Sequence, residues 1–248
     1  MTELLNKITQ GDCLEVMKRI PDGSVDMILC DLPYGTTRNK WDSIIPLDEL
    51  WAQYERIIKD NGAIVLTAQT PFDKVLGASN IRLLKYEWIW QKDAGTGFLN
   101  AKKMPLKDHE NILVFYKKLP TYNPQMVGDE LRRIRRKDVP QPTTNYGYSM
   151  QPKESVYKGR YPKTTQKFNR DSEKLHPTQK PVALFEYLIR TYTNEGEIVL
   201  DNCIGSGTTA VAAIKTNRQF IGIEKELEYV EIGKRRIAEA LAEKEAGA

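Results

Sequence analysis

Cysteine and histidine are scarce: the 248 residues include 3 Cys and 2 His. Cys13, Cys30 and Cys203 are odd in number, widely spaced and form no CxxC pair. That excludes a secreted-type disulfide framework and points to reduced thiols in a cytosolic protein. With only His109 and His176 beside them, too few ligands lie at zinc-binding spacing, so no metal site is expected. Long apolar runs are also missing. Met27-Ile28-Leu29-Cys30 and Ala63-Ile64-Val65-Leu66 are strand-sized, far below the roughly 18 residues a transmembrane helix needs, so no membrane partner is expected. The first residues, Met1-Thr2-Glu3-Leu4-Leu5-Asn6, have no basic head followed by an apolar stretch, which argues against a signal peptide. Internal repeats and low-complexity tracts are lacking too. What remains is a soluble globular composition, 40% hydrophobic and 28% charged with mean hydropathy −0.52. The length suits one catalytic-sized domain with a modest insertion.

Charge is uneven along the chain. Residues 117–174 hold 14 Lys and Arg against 6 Asp and Glu; the whole chain is +4, so the remainder is net −4. This block is poor in aliphatic residues, rich in Pro, Tyr, Thr and Gln, and includes Arg132-Arg133-Ile134-Arg135-Arg136-Lys137. Its bland reading is a solvated insertion unable to bury enough apolar surface to offset its ordering entropy. Its functional reading is a polyanion-binding segment in which clustered cations neutralise phosphates. The interleaved Tyr122, Tyr146, Tyr148, Tyr157 and Tyr161 would stack or hydrogen-bond there.

On either side, strand and helix signals alternate. Helical spacing or helix boundaries mark 13–20, 47–59, a segment after Pro71, 182–192, 208–216 and 226–244; strand patterns mark 25–31, 63–67, 86–90, 111–116, 197–200 and 219–223. This predicts an α/β fold: a Rossmann-like, mostly parallel sheet with helices on both faces, plus the irregular basic insertion.

Two motifs carry chemistry. The first is Asp201-Asn202-Cys203-Ile204-Gly205-Ser206-Gly207, where a strand enters a glycine turn and a helix leaves it. Glu224 ends the next strand, 23 residues after Asp201, which is the spacing of a nucleotide-binding βαβ unit whose acid reaches ribose hydroxyls. Such a turn also occurs simply to pack a strand against a helix, and the third glycine of the dinucleotide fingerprint is replaced by Ala210. The second motif, Asp31-Leu32-Pro33-Tyr34, stands at the C-terminal end of a predicted strand, where open α/β sheets place their ligands.

With this tetrapeptide the chain resembles the S-adenosylmethionine-dependent DNA amino-methyltransferases, which carry Asp-Pro-Pro-Tyr; Leu32 replaces the first proline. The order of tetrapeptide, recognition region, His176-Pro177-Thr178-Gln179-Lys180-Pro181 and glycine loop is similar to that of the β subclass, a circularly permuted arrangement. The resemblance implies a catalytic domain from 1–116 and 175–248, with 117–174 as the DNA target-recognition insertion. It implies S-adenosylmethionine as cofactor, duplex DNA as partner, and a prokaryotic or phage enzyme of the restriction-modification kind acting in the cytoplasm. It also implies homodimers, which relatives often form.

The resemblance assigns roles as well. Asp31 and the Leu32 carbonyl would accept the two N–H bonds of an adenine N6 amine and aim its lone pair at the sulfonium methyl. Pro33 would hold that carbonyl extended, and Tyr34 would stack on a base rotated out of the duplex. Asp12 would meet the cofactor's adenine, Glu224 its ribose and Asp201 its methionine end. Gly205 and Gly207 would shape the loop, and Thr178 and Lys180 would bind the methionine carboxylate. Plainer roles compete: Asp12 as a helix cap and Lys180 as a surface lysine. Asn202 departs from the commoner loop opening. Arg132, Arg133, Arg135, Arg136 and Lys137 would contact DNA. Trp88, Trp90, Phe98 and 100–105 fall where the family places part of the base pocket, with no choice among them. His109 reads as a structural histidine.

Rival readings are weighed on the same residues. Cytosine C5 methylation needs a Pro-Cys nucleophile, whereas Cys30 follows Leu29 and should face away from Asp31. Cytosine-N4 enzymes of this subclass usually carry Ser where Asp31 stands, which favours adenine N6. RNA or protein-glutamine methylation shares the tetrapeptide. A nicotinamide-dependent oxidoreductase and a catalytically silent DNA-binding protein are the alternatives from other classes.

Overall fold

The protein is described from a computed structural model covering residues 1–36, 39, 42–135, 154–172, 175 and 178–247. Its main unit comprises Met1–Asn123 and Thr164–Ala248. Here β1 (Lys7–Gln10), α1 (Cys13–Met17), β2 (Val25–Asp31), α2 (Leu47–Ile57), β3 (Ile58–Ala68), α3 (Phe72–Ser79), β4 (Leu84–Thr96) and β5 (Lys107–Phe115) precede the insertion. The hairpin strands β6 (Val127–Arg135) and β7 (Glu154–Arg160) lie in the second unit. The main unit resumes with β8 (Thr165–Lys167), α4 (Val182–Tyr192), β9 (Ile198–Asp201), α5 (Thr208–Lys215), β10 (Gln219–Glu224) and α6 (Leu227–Ala246).

Eight strands form one sheet in the order β1-β10-β9-β2-β3-β5-β4-β8. The first five pair in parallel, β5 is antiparallel to both β3 and β4, and β8 adds a short parallel edge. β2 is buried on both faces, as its apolar run Met27–Cys30 demands. Ile28 and Cys30 pack with residues of α1, α2 and α3, whereas Met27 and Leu29 pack with residues of α4 and α5. Cys30 is fully buried, and burial pushes its thiol pKa up to about 12, consistent with an inert core side chain.

Strand β3 begins earlier than its apolar run suggests. Ile58 pairs with Val25 ahead of a register shift, so the Asp60-Asn61-Gly62 stop lies inside the strand. Gly62 suits that irregularity, because a Cβ there would stand 2.7 Å from the Asp26 carbonyl oxygen.

The compact second unit is shorter than the segment 117–174. The second unit is Pro124–Lys163, and both flanks of the longer segment belong to the main unit. On one side the Lys117 ammonium donates to the Glu55 carbonyl at 2.6 Å, and the Asn123 amide donates to the Thr193 carbonyl at 3.0 Å. On the other, β8 pairs with β4 and Arg170 meets Asp93 at 2.8 Å. Backbone pairing and ion pairs thus recruit residues that composition alone groups with the basic block. Within the second unit, β6 and β7 pair antiparallel, placing Arg132 opposite Tyr157, Arg133 opposite Val156 and Arg135 opposite Glu154.

Among the described residues, no helix is long and apolar enough to cross a membrane, and no group of three His, Cys, Asp or Glu is arranged to hold a metal.

Candidate active site

The chain leaves β2 through α2 toward β3 on one side of the sheet, and leaves β9 through α5 toward β10 on the other. Adjacent parallel strands whose connections diverge open a crevice at their C-terminal ends, where α/β folds bind ligands. Ile28 pairs with Leu200, so Asp31 and Asp201 come to the same edge of the sheet although 170 positions separate them. A cleft of about 480 Å³ opens there, and its walls include Asp12, Asp31, Leu32, Pro33, Tyr34 and Glu224. The size lies within the usual range for small-molecule sites, roughly 300–1,000 Å³.

Asp31 is held from several directions. Its Oδ1 accepts the Tyr34 hydroxyl at 2.6 Å and the Thr67 hydroxyl, and its Oδ2 meets the Lys180 ammonium at 2.6 Å. Thr67 is its direct partner on β3, and Tyr34 is carried around the turn that follows β2. Asp42 secures that turn by accepting the Gly35 N–H at 2.8 Å and the Thr36 N–H at 3.0 Å. The Tyr34 ring stacks on Phe72 with centroids 5.4 Å apart, and Lys180 Nζ lies 5.6 Å from the ring centroid. Leu32 turns its side chain into the core, while Pro33 stays in the cleft wall.

Lys180 is buried and serves two acids. Besides Asp31 it approaches Glu110 Oε2 at 3.3 Å, and Glu110 Oε1 in turn takes Lys92 Nζ at 2.6 Å. Burial opposes the Lys180 charge, yet Asp31 and Glu110 more than offset it and raise its pKa. Burial likewise opposes ionisation of Glu110, and Lys180 with Lys92 outweighs it, lowering that pKa. The surface-lysine reading therefore gives way to a buried ion-pair chain, and the ammonium expected beside a cofactor carboxylate is engaged by Asp31.

The glycine loop is built differently. Asp201 accepts the Cys203 N–H at 3.0 Å and the Thr209 hydroxyl, which closes the turn on its buried carboxyl group. Burial raises the pKa of this group to about 7. The Asn202 side chain accepts the buried Tyr54 hydroxyl, so the departure at that position fills a packing role. Gly207 has φ of 87°, and a Cβ there would lie 3.1 Å from Gly233 Cα, so conformation and close helix packing both require glycine. Gly205 donates its N–H to Glu224 Oε2 at 2.9 Å, and Glu226 donates to Glu224 Oε1 at 2.8 Å. Glu224 nonetheless remains in the cleft wall, and burial raises its pKa.

Asp12 caps α1 by accepting the Leu14 N–H at 2.9 Å, and it also lines the cleft. Thr178 lines the cleft, and its carbonyl accepts Lys180 Nζ at 3.4 Å. Gln179 ties this segment to the glycine loop by accepting the Ser206 hydroxyl at 3.5 Å. Of the aromatic candidates, Trp90 reaches the cleft wall, Trp88 is buried with its indole N–H on the Tyr192 hydroxyl, and Phe98 is exposed. His109 is exposed and bonded to Asp108. Arg132, Arg133 and Arg135 stand on β6, with Arg132 paired to Glu130 and Arg135 to Glu154. Arg136 and Lys137 lie outside the described residues, as do Tyr146, Tyr148, His176 and Pro177.

Sequence reasoning assigned no role to Thr67, Asp42, Lys92, Glu110 or Gln179. Thr67 had a signal, since it ends the predicted strand beside β2, and Gln179 stands between Thr178 and Lys180 in the motif already named; the others are brought in by a loop and two antiparallel strands with no local marker.

Comparison with known proteins gives concordant matches. The sequence profile of a family described as DNA methylase, N6_N4_Mtase, matches residues 25–235. The chain is 33% identical over 251 residues to the DNA adenine methyltransferase YhdJ of Escherichia coli, covering 93% of this chain and 82% of that protein. It is 28% identical over 265 residues to the type II methyltransferase M2.MboI of Moraxella bovis, covering 94% and 87%. The crystal structure of the M1.HpyAVI–SAM complex superposes with a TM-score of 0.64 at 26% identity, covering 93% of this chain and 98% of that one. The cytosine-N4-specific PvuII DNA methyltransferase shares the fold, with a TM-score of 0.69 at 17% identity over 92% and 85% of the two chains.

Proposed function

The chain belongs to the N6/N4 DNA methylase family, and from that premise we propose that it methylates adenine N6 in duplex DNA, using the Asp31 cluster to present the amine. One observation carries the reading. The tetrapeptide carboxylate and the glycine loop with Glu224 open into the same cleft across the central strand pair.

S-adenosylmethionine fits the donors present and, when bound, supplies an electrophilic methyl group. Glu224 suits ribose hydroxyls, because each carboxylate oxygen binds one backbone N–H and keeps acceptor capacity toward the cleft. Asp12 stands in the same wall as the candidate acceptor for the adenine amine. Gly205, Gly207 and Asp201 hold the loop shape between them.

The target amine is a poor nucleophile, because its lone pair is delocalised into the ring. Asp31 counters this by accepting an amine N–H, with the Leu32 carbonyl taking the other, which draws the lone pair out of the ring plane. Thr67, Tyr34 and Lys180 fix the carboxylate beforehand, so little reorganisation is needed as positive charge develops on nitrogen. The proton released from the methylated amine passes to Asp31 or to water.

The second unit, with Arg132, Arg133 and Arg135 on its hairpin, is assigned to DNA contact on charge grounds, and the neighbouring Arg136 and Lys137 extend the same run. Cytoplasmic action and pairing of two copies belong to the same reading, supported by resemblance to the family.

The test is direct. The purified protein is incubated with S-adenosylmethionine and unmodified genomic DNA, and modified bases are then identified and mapped. N6-methyladenine at one recurring sequence is expected. N4-methylcytosine would overturn the base assignment, and unmodified DNA would overturn the activity.

A further inference from the structure

Between β4 and β5 the chain turns over residues 97–106 in a tip that presentation of the amine does not use. Its stem belongs to the cleft. Thr96 lines the wall and donates its hydroxyl to the Lys107 carbonyl at 3.1 Å, while the Lys107 ammonium reaches Oε1 of Gln69, another wall residue, at 3.4 Å. The tip is ordered by its own backbone. Gly97, with φ of 86°, starts a single 3-10 turn over Phe98–Asn100, and the Asn100 carbonyl accepts the N–H groups of Lys103 at 2.8 Å and Met104 at 3.0 Å.

That turn presents Phe98 at 81% and Leu99 at 100% exposure. Single exposed apolar side chains are ordinary. Two adjacent large ones on an internally bonded turn, fastened to the mouth of a ligand cleft, form a surface built for contact. Lys102 and Lys103 are exposed in the same tip, and the segment 97–106 contains no acidic residue, so its charge complements a polyanion.

We infer that this tip is a wedge that enters the base stack of duplex DNA as the target leaves it, with Phe98 and Leu99 filling the vacated space. The inference rests on the proposed reading that the cleft takes an adenine out of a duplex. A stacked, paired base cannot reach the bottom of such a cleft, and extrusion costs a few kcal/mol in lost stacking and pairing. Apolar side chains inserted between base steps offset part of that cost, and Phe, Leu and Met serve this role in proteins that kink DNA. Lys102 and Lys103 meet the flanking phosphates and hold the tip against the strand.

The experiment uses the full chain and the recognition sequence found by modified-base mapping. One duplex pairs the target adenine with thymine; a second carries an abasic analogue opposite it, so that the target is already unpaired. The Phe98→Ala/Leu99→Ala double variant is expected to lose roughly 10- to 100-fold in kcat/KM on the paired duplex. On the abasic-partner duplex it is expected to stay within about 3-fold of the wild type. An unchanged melting temperature would separate this effect from misfolding. Equal loss on both duplexes, or no loss on either, would overturn the wedge. So would a change in the protein's mass in solution without DNA, which would make the tip an interface between copies of the chain. A wild-type protein that methylates neither duplex would instead overturn the proposed function on which the wedge depends.

Discussion

Two aspartates end neighbouring parallel strands, and they live in opposite surroundings. Asp31 closes β2 with its side chain 20% exposed, and a buried lysine, Lys180, reaches it at 2.6 Å from 149 positions away. Asp201 closes β9 and is 3% exposed; its oxygens accept the Cys203 N–H and the Thr209 hydroxyl, and burial lifts its pKa to about 7. The first carboxylate stays partly exposed in the cleft wall, whereas the second closes the loop beside it. Position at a strand end therefore places a carboxylate, and its neighbours decide what it does.

Removing Asp31 should produce the largest effect. Asp31→Ala is expected to lower turnover on cognate DNA by about 10²–10³-fold while calorimetry still detects cofactor binding. Turnover equal to wild type would erase the distinction between the two aspartates. Removing the cation probes the same contrast through stability. Lys180→Met leaves Asp31 and Glu110 without the charge they share, so urea denaturation should show a loss of about 3–5 kcal/mol. A loss below about 1 kcal/mol would mean that the pair is solvated like a surface ion pair.

The effect expected at Asp201 is visible only against pH. Its pKa stands at about 7 in the fold against an ordinary 3.8, so the native state keeps a proton that the unfolded chain has released. The associated stability is complete below pH 3.8 and is lost as pH rises through about 7. It amounts to about 1.4 kcal/mol per unit of separation. Asp201→Asn can still accept from Cys203 and can donate to Thr209, and denaturation curves from about pH 4 to 7 should lose this descending component. Parallel pH profiles for the two proteins would show that Asp201 ionises as freely as a surface acid.

The long periodic elements were legible because they are local. Val25–Asp31, Val182–Tyr192 and Gln219–Glu224 carry their own periods and boundaries, and the two motifs stand at the strand ends where they were expected. Misread elements depend on pairing. β1, β8 and the β6–β7 hairpin are short or highly charged, and sheet partners stabilise them more than apolar periodicity does. α1 ends at Met17 rather than continuing to Ile20. The glycine loop was recognised, but the turn of Asp201 into the loop and the engagement of Asn202 by Tyr54 had no signal in either residue's immediate sequence.

Residue order alone established the alternation of strands and helices, that Asp31 and Asp201 would stand at strand ends, and that a glycine turn would follow Asp201, since each follows from period, side-chain volume and backbone sterics over a few positions. Folding in three dimensions settled which side chains meet. It joined Lys180, Glu110 and Lys92 to Asp31, drew Asp201 under its own loop, and placed 117–123 and 164–172 in the main unit. Those outcomes depend on strand order and on the low polarity of the buried site, where an ion without a partner is too costly to retain.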